Sequence, residues 1–186
     1  MENTSEDLGR LVARGDAGSH EALLRAVRPA VLRYALARGV PDHDAQDLAQ
    51  ETCLGVLSAL PNWRDTGRPV WALVFTIARN KLADRARAHA AGTLDLFAEV
   101  PVGLVDPTPG PAELLDRADG VVWVRDVLLT LPETQRDVLL LRAIVGLSTA
   151  ETAGALSLTV GSVRVLQHRA VVALRRQLVI APEGAS

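Results

Sequence analysis

Helical periodicity occupies this chain in two blocks, from Leu8 to Arg87 and from Glu113 to about Ile180, separated by a segment that continues neither. Between Gly92 and Pro111 the period stops, and Pro101, Pro107, Pro109 and Pro111 join Gly103 and Gly110 in a stretch poor in helix formers. Proline has no amide hydrogen to give a helix interior, and glycine loses the most backbone freedom on folding. The pattern predicts an all-α fold of two small helical domains, 5–91 and 113–181, joined by a Pro/Gly-containing linker over 92–112. A linker of about 20 residues would span about 25 Å as a flexible coil and up to roughly 65 Å fully extended, enough to let two modules grip separate sites. Val100, Val102, Leu104 and Val105 could instead pack it against one of the domains.

Composition supports helices over sheets. Aromatic residues are 3% of the chain while hydrophobic residues are 48%, so a core built of Ala, Leu and Val is expected. The single Cys53 cannot form an internal disulfide, no Cys/His cluster has metal-ligand spacing, and the first residues lack the apolar run of a signal peptide. No stretch approaches the roughly 18 consecutive apolar residues of a membrane span. A cytoplasmic protein with no membrane insertion and no cofactor is therefore expected. The net charge of -2 does not announce a nucleic-acid binder, so the distribution of charge has to decide.

That distribution is uneven in the second block. From Leu156 to Leu178 the charged residues are Arg164, Arg169, Arg175 and Arg176, with no acid, whereas Glu133, Asp137 and Glu151 all lie earlier. Ser148 is placed to cap a helix, with Glu151 three residues on completing a capping box, and Thr159 is placed to cap the next. Ala150, Ala153 and Gly154 are small enough to admit a crossing helix, and Val163, Leu166, Ala170 and Leu174 form a buried stripe. Two helices joined by so short a turn cross steeply and leave the start of the second projecting, as in helix-turn-helix DNA readers. Ser162, Arg164, Val165, His168 and Arg169 are the candidates for that outward surface. An arginine there could take a phosphate or bridge guanine's acceptors, and a merely solvated basic helix fits the spacing too.

In the first block, Asp42 to Leu60 reads as a capped helix with Ala45, Leu48, Thr52, Val56 and Ala59 inward. Asp47, Gln50, Glu51 and Leu54 share another face, suited either to a basic helical partner or to water. In the next helix Trp71, Phe75, Ala78 and Leu82 lie on one side and Thr76, Asn80, Ala83 and Arg87 on the other.

The run Leu131 to Arg142, Gly146-Leu-Ser148 and Val163 to Ala170 together resemble region 4 of extracytoplasmic-function sigma factors. The segments Asp47-Leu-Ala-Gln-Glu-Thr52, Leu60-Pro61, Ile77-Ala-Arg-Asn80 and Asp84-Arg85 are similar to region 2 of the same family. The resemblance spans about Leu8 to Leu178 except the linker. It implies a factor without catalysis of its own that binds core RNA polymerase, at the beta-prime clamp helices and the beta subunit, and promoter DNA. It also implies an anti-sigma factor as a further partner. By resemblance, Asp47, Gln50, Glu51 and Leu54 would contact polymerase. The loop and helix carrying Asn62, Arg64, Arg68, Thr76, Arg79, Asn80 and Lys81 would engage the minus 10 element, and Ser162, Arg164, Val165, His168 and Arg169 the minus 35 element. Trp63 reads as a plug for the core. The chain departs from the commonest pattern at Leu166, Val171 and Val172, often basic in the family, and at Cys53, commonly Phe, where looser packing is expected.

A one-component helix-turn-helix regulator is the alternative, but it leaves the first block unexplained. Against an enzyme, His20, His43, His89 and His168 are scattered, and no nucleophile motif or phosphate-binding glycine loop occurs.

Overall fold

A computed structural model of the chain describes residues 5–63, 68–90 and 127–180, and no strand occurs among them. The N-terminal half comprises α1 (Ser5–Arg14), α2 (Ala17–Ala37), α3 (Asp42–Ala59), a 3-10 turn at Leu60–Asn62 and α4 (Val70–Ala90). The C-terminal half comprises α5 (Glu133–Leu139), which runs into a π turn at Leu140–Ile144, then α6 (Thr149–Leu156) and α7 (Val160–Ile180). The linker 92–112, the expected start of the second block at Glu113, and Arg64 with Asp65, Thr66 and Gly67 lie outside the described residues.

Gly15 and Gly39 take φ of 64° and 82°, a left-handed conformation that costs glycine nothing and that ends α1 and α2. Asp16 caps α2, accepting from the Ser19 amide at 2.7 Å, and hydrogen bonds from Ser19 hold its carboxyl below the usual range. At α3 Pro41 occupies the cap without a side-chain bond, and Asp42 and Asp44 lie in the first turn, where carboxylates meet the positive end of the helix.

In the C-terminal half the expected capping box is present: Ser148 accepts from the Glu151 amide at 3.2 Å and Glu151 accepts from the Ser148 amide at 2.6 Å. Ser157 closes α6 at φ 55°, and Thr159 accepts from the Ser162 amide at 3.0 Å to begin α7. A left-handed residue between two helices turns the chain within three positions, giving the tight helix-turn-helix.

One continuous core serves both halves. Leu23, Val27, Val31 and Tyr34 of α2, Leu48 and Val56 of α3, and Val74, Phe75 and Ala78 of α4 join Val138, Leu140, Leu141, Leu147, Ala153, Leu156 and Val163. Tyr34 meets Phe75 edge-on at 5.3 Å, and Trp71 lies 5.8 Å from Phe75. Leu131, Leu139 and Ala170 form a small satellite. The small residues of α6 admit a crossing helix, and that helix comes from the other half. A Cβ on Gly154 would lie 3.0 Å from Cδ of Pro69 and 3.6 Å from Cβ of Ala72, so the glycine admits α4 of the other half.

Candidate functional site

Three surfaces and one seam carry the candidate residues. On α3, Ala45, Leu48, Thr52 and Val56 are buried and Ala59 is half-buried, which turns Asp47, Gln50, Glu51 and Leu54 outward together. Leu54 is 59% exposed, a large apolar group in water amid polar neighbours. Glu51 differs from the other three because it is already engaged: Lys81 lies 3.3 Å and Arg85 3.1 Å from its carboxylate, both from α4. Burial works against the Glu51 charge, but the hydrogen bond from Lys81 and the charge of Arg85 outweigh it and hold its pKa below the usual range. Asp47 lies 3.7 Å from His43 and is not joined to α4.

On α4 the two sides separate as the periodicity predicts. Trp71, Phe75 and Ala78 are buried and Leu82 is half-buried, while Thr76, Asn80, Ala83 and Arg87 are exposed. Asn62 and Arg68, at the two ends of the connection preceding α4, are exposed, and Trp63 is half-buried. Lys81 turns toward Glu51 on the α3 side, and Arg79 turns toward the C-terminal half. The α4 candidates therefore do not form one open patch.

On α7, Val163 and Ala170 are buried, Leu166 and Leu174 half-buried, and Arg164, Val165, His168 and Arg169 are exposed, with Ser162 half-buried beside Thr159. Val165 is 51% exposed. The departures at Leu166 and Val171 are explained by packing, since both rest against buried clusters and leave the exposed arginines as the cationic groups of this surface. Cys53 is buried, and burial pushes its thiol up, which keeps it protonated and inert as a nucleophile.

The seam between the halves is the feature that sequence reasoning missed. Asp137 of α5 is fully buried and accepts a hydrogen bond from the Tyr34 hydroxyl at 2.8 Å and another from Arg38. Arg79 Nε lies 3.1 Å from the other carboxylate oxygen, off the hydrogen-bonding direction, so that contact is an ion pair alone. Arg38 also reaches Glu133 at 3.0 Å, and that hydrogen bond holds the Glu133 carboxyl below its usual range. Burial and the neighbouring Asp137 push the Tyr34 hydroxyl upward, so it remains a donor. No spacing pattern signals this cluster, because its members lie 99 and 103 residues apart.

Among the described residues one group has metal-ligand proximity. His43, Asp44 and Asp47 have ligand atoms within 4.8 Å of one another, but His43 and Asp47 are exposed. Solvated acids beside a helix N-terminus account for this group without an ion.

Residues 23–91 match the family model of Sigma-70 region 2, and residues 122–174 that of Sigma-70, region 4. The chain is 43% identical to the ECF RNA polymerase sigma factor ShbA of Streptomyces griseus, over 90% of this chain and 93% of that protein. It is 41% identical to the ECF RNA polymerase sigma factor SigD of Mycobacterium tuberculosis, over 100% of this chain and 90% of that one. Among solved structures it is similar to CnrH in complex with the cytosolic domain of CnrY, at a TM-score of 0.68 and 26% identity, covering 94% of this chain and 97% of that one. RpoE of Bartonella quintana shares the fold at a TM-score of 0.62 and 22% identity, over 87% of this chain and 98% of that one. With both regions in order and relatives matched nearly end to end, the chain belongs to the extracytoplasmic-function sigma factors and directs promoter-specific initiation by RNA polymerase.

Proposed function

We propose that the two regions divide the work between separate surfaces, with domain limits at 5–91 and 113–181 and the linker at 92–112. The exposed α3 face of Asp47, Gln50, Glu51 and Leu54 docks on the beta-prime clamp helices of core polymerase, while the beta subunit receives the rest of the chain. Asn62, Arg64, Arg68, Thr76, Arg79, Asn80 and Lys81 engage the minus 10 element as it opens. Ser162, Arg164, Val165, His168 and Arg169 read the minus 35 element as duplex. The protein acts by binding alone, in the cytoplasm, and no helix among the described residues is long and apolar enough to cross a membrane.

The observation that carries this reading is the outward face of α7, which exposes Arg164, Arg169 and the apolar Val165 with no carboxylate on the helix. Major-groove recognition needs both kinds of group: guanidinium for guanine or phosphate, and an apolar contact for the thymine methyl. An anti-sigma factor is a further partner, supported by the solution of the similar CnrH with the cytosolic domain of a second protein bound.

Strand opening tests the minus 10 assignment. Unstacking a base costs a few kcal/mol, which contacts to the opened strand must offset. Asn80 is exposed and free of the α3 and α5 ion pairs, so Asn80→Ala should leave the closed promoter complex intact and reduce permanganate-reactive thymines in the minus 10 region. Wild-type reactivity in the Asn80→Ala holoenzyme would place minus 10 recognition elsewhere.

A further inference from the structure

The outward face of α7 has a centre that neither of its exposed arginines occupies. At about 100° per residue, Gly161, Val165 and His168 fall within about 60° of one another, and Arg164 and Arg169 lie about 70° to either side of the midline of that strip. Val163 and Ala170, fully buried, lie opposite, so the strip is the part of the helix that faces furthest from the protein. All three of its residues are exposed, and no carboxylate occurs on α7 to repel phosphate.

Two residues of this strip are not explained by the fold. Glycine is a poor helix former next to alanine, and packing does not require it here. A Cβ on Gly55 would lie 3.0 Å from Cγ2 of Ile77, and one on Gly154 3.0 Å from Cδ of Pro69, whereas one on Gly161 would meet only Thr159 Oγ1, at 3.8 Å. Alanine therefore fits at 161 in the free chain. What the missing methyl provides is clearance on the outside, where bare backbone lets another surface come closer. Val165, next along the strip, is 51% exposed and joins neither buried cluster. Helix propensity does not call for it either, since β-branching costs side-chain freedom in a helix.

The major groove of DNA supplies what both residues lack. The groove edge of a base pair is a row of donors and acceptors broken by one apolar group, the thymine C5 methyl. Valine neither gives nor takes a hydrogen bond, so over any other edge it strips water from polar groups and leaves them unpaired. Over the methyl it buries apolar surface against apolar surface. The N-terminal residues of a recognition helix are the ones that reach base edges, and Gly161 and Val165 stand in the first two turns of α7.

We propose that Val165 reads a thymine of the minus 35 element by its methyl group, and that Gly161 lets the start of α7 sit deep enough for that contact, with Arg164 and Arg169 to either side. The inference rests on the assignment of α7 to the minus 35 element. It adds the base and its chemistry: one position at which thymine is preferred without a hydrogen bond.

Uracil is the probe, because it pairs as thymine does and lacks only the methyl. The minus 35 element is first mapped by run-off transcription. Duplexes carrying deoxyuridine at each of its thymines in turn, on either strand, are then titrated with holoenzyme reconstituted from the full chain. The wild type should lose about fourfold in affinity at one position, the worth of one buried methyl, and little at the others. Val165→Ala should bind the thymine and uracil forms of that duplex equally, both near the wild-type affinity for uracil. Gly161→Ala should unfold at the wild-type temperature or higher, yet bind every duplex at least about fivefold more weakly. Uracil tolerated by the wild type at every thymine, an undiminished uracil penalty in Val165→Ala, or wild-type affinity in Gly161→Ala would overturn the proposal. Failure of the underlying minus 35 assignment appears separately, as unchanged promoter occupancy by Arg164→Ala and Arg169→Ala; with that assignment intact, those two variants lose affinity whatever uracil does.

Discussion

Asp47→Lys combined with Leu54→Asp weakens binding to core polymerase by roughly a hundredfold or more while leaving thermal unfolding of the free chain unchanged. Placing a cation where a carboxylate meets a basic partner costs several kcal/mol, and each tenfold in affinity is about 1.4 kcal/mol. Leu54, 59% exposed, is the apolar group of this face, and an aspartate put there would have to be desolvated without a partner on docking, which is costly. Neither residue holds the domain together, since the ion pair of Asp47 is with an exposed histidine one turn away on its own helix and Leu54 is outside the core. Glu51→Lys is the instructive contrast. It breaks the pairs with Lys81 and Arg85 and sets three cations side by side, so it should lower the unfolding temperature as well as core binding. Competition binding against labelled wild type, alongside calorimetry, separates the two effects. A folded Asp47→Lys, Leu54→Asp variant that binds core normally would remove the α3 face from the polymerase interface.

Arg164→Ala and Arg169→Ala lower promoter affinity of the holoenzyme without lowering core binding, because both residues are exposed on α7 and neither touches the core. If either bridges a base, its loss costs about 1–3 kcal/mol and relaxes preference at one position of the minus 35 element. If it takes a phosphate instead, all sequences weaken alike and the slope of log affinity against log salt falls by about 1. The double variant adds the two losses where the sites act independently. Titrating promoter duplex at several salt concentrations, with point changes across the element, distinguishes the modes. Equal occupancy by wild type and both variants would remove α7 from minus 35 recognition.

Local order was largely legible in the sequence. The capping box of Ser148 and Glu151, the Thr159 cap and the opposed sides of α4 follow from residue preferences acting over a few positions. The exposed face of α7 was legible for the same reason, since a stripe at steps of three and four fixes which residues face out. What escaped depends on pairings that no short-range pattern encodes. Asp137 reads as an ordinary acid of a short helix, and only Tyr34 and Arg38, about a hundred residues earlier, explain its burial. Gly154 reads as room for a crossing helix, but not which one, and Pro69 and Ala72 of the other half fill that space. Lys81 reads as a cation for DNA, and its carboxylate partner lies on α3. The π turn at Leu140–Ile144 left no mark in the pattern either, because it keeps Leu140 and Leu141 buried as an α-helix would.

Reconstitution with core polymerase tests the account most directly. The purified chain is mixed with core enzyme, the complex is isolated by size exclusion, and run-off transcription is mapped on a library of promoter fragments. The account predicts a one-to-one holoenzyme that initiates at a defined set of start sites sharing one pair of minus 10 and minus 35 sequences, with core alone initiating at none of them. A chain that binds duplex DNA specifically as a dimer, without joining core polymerase or changing its start sites, would contradict it.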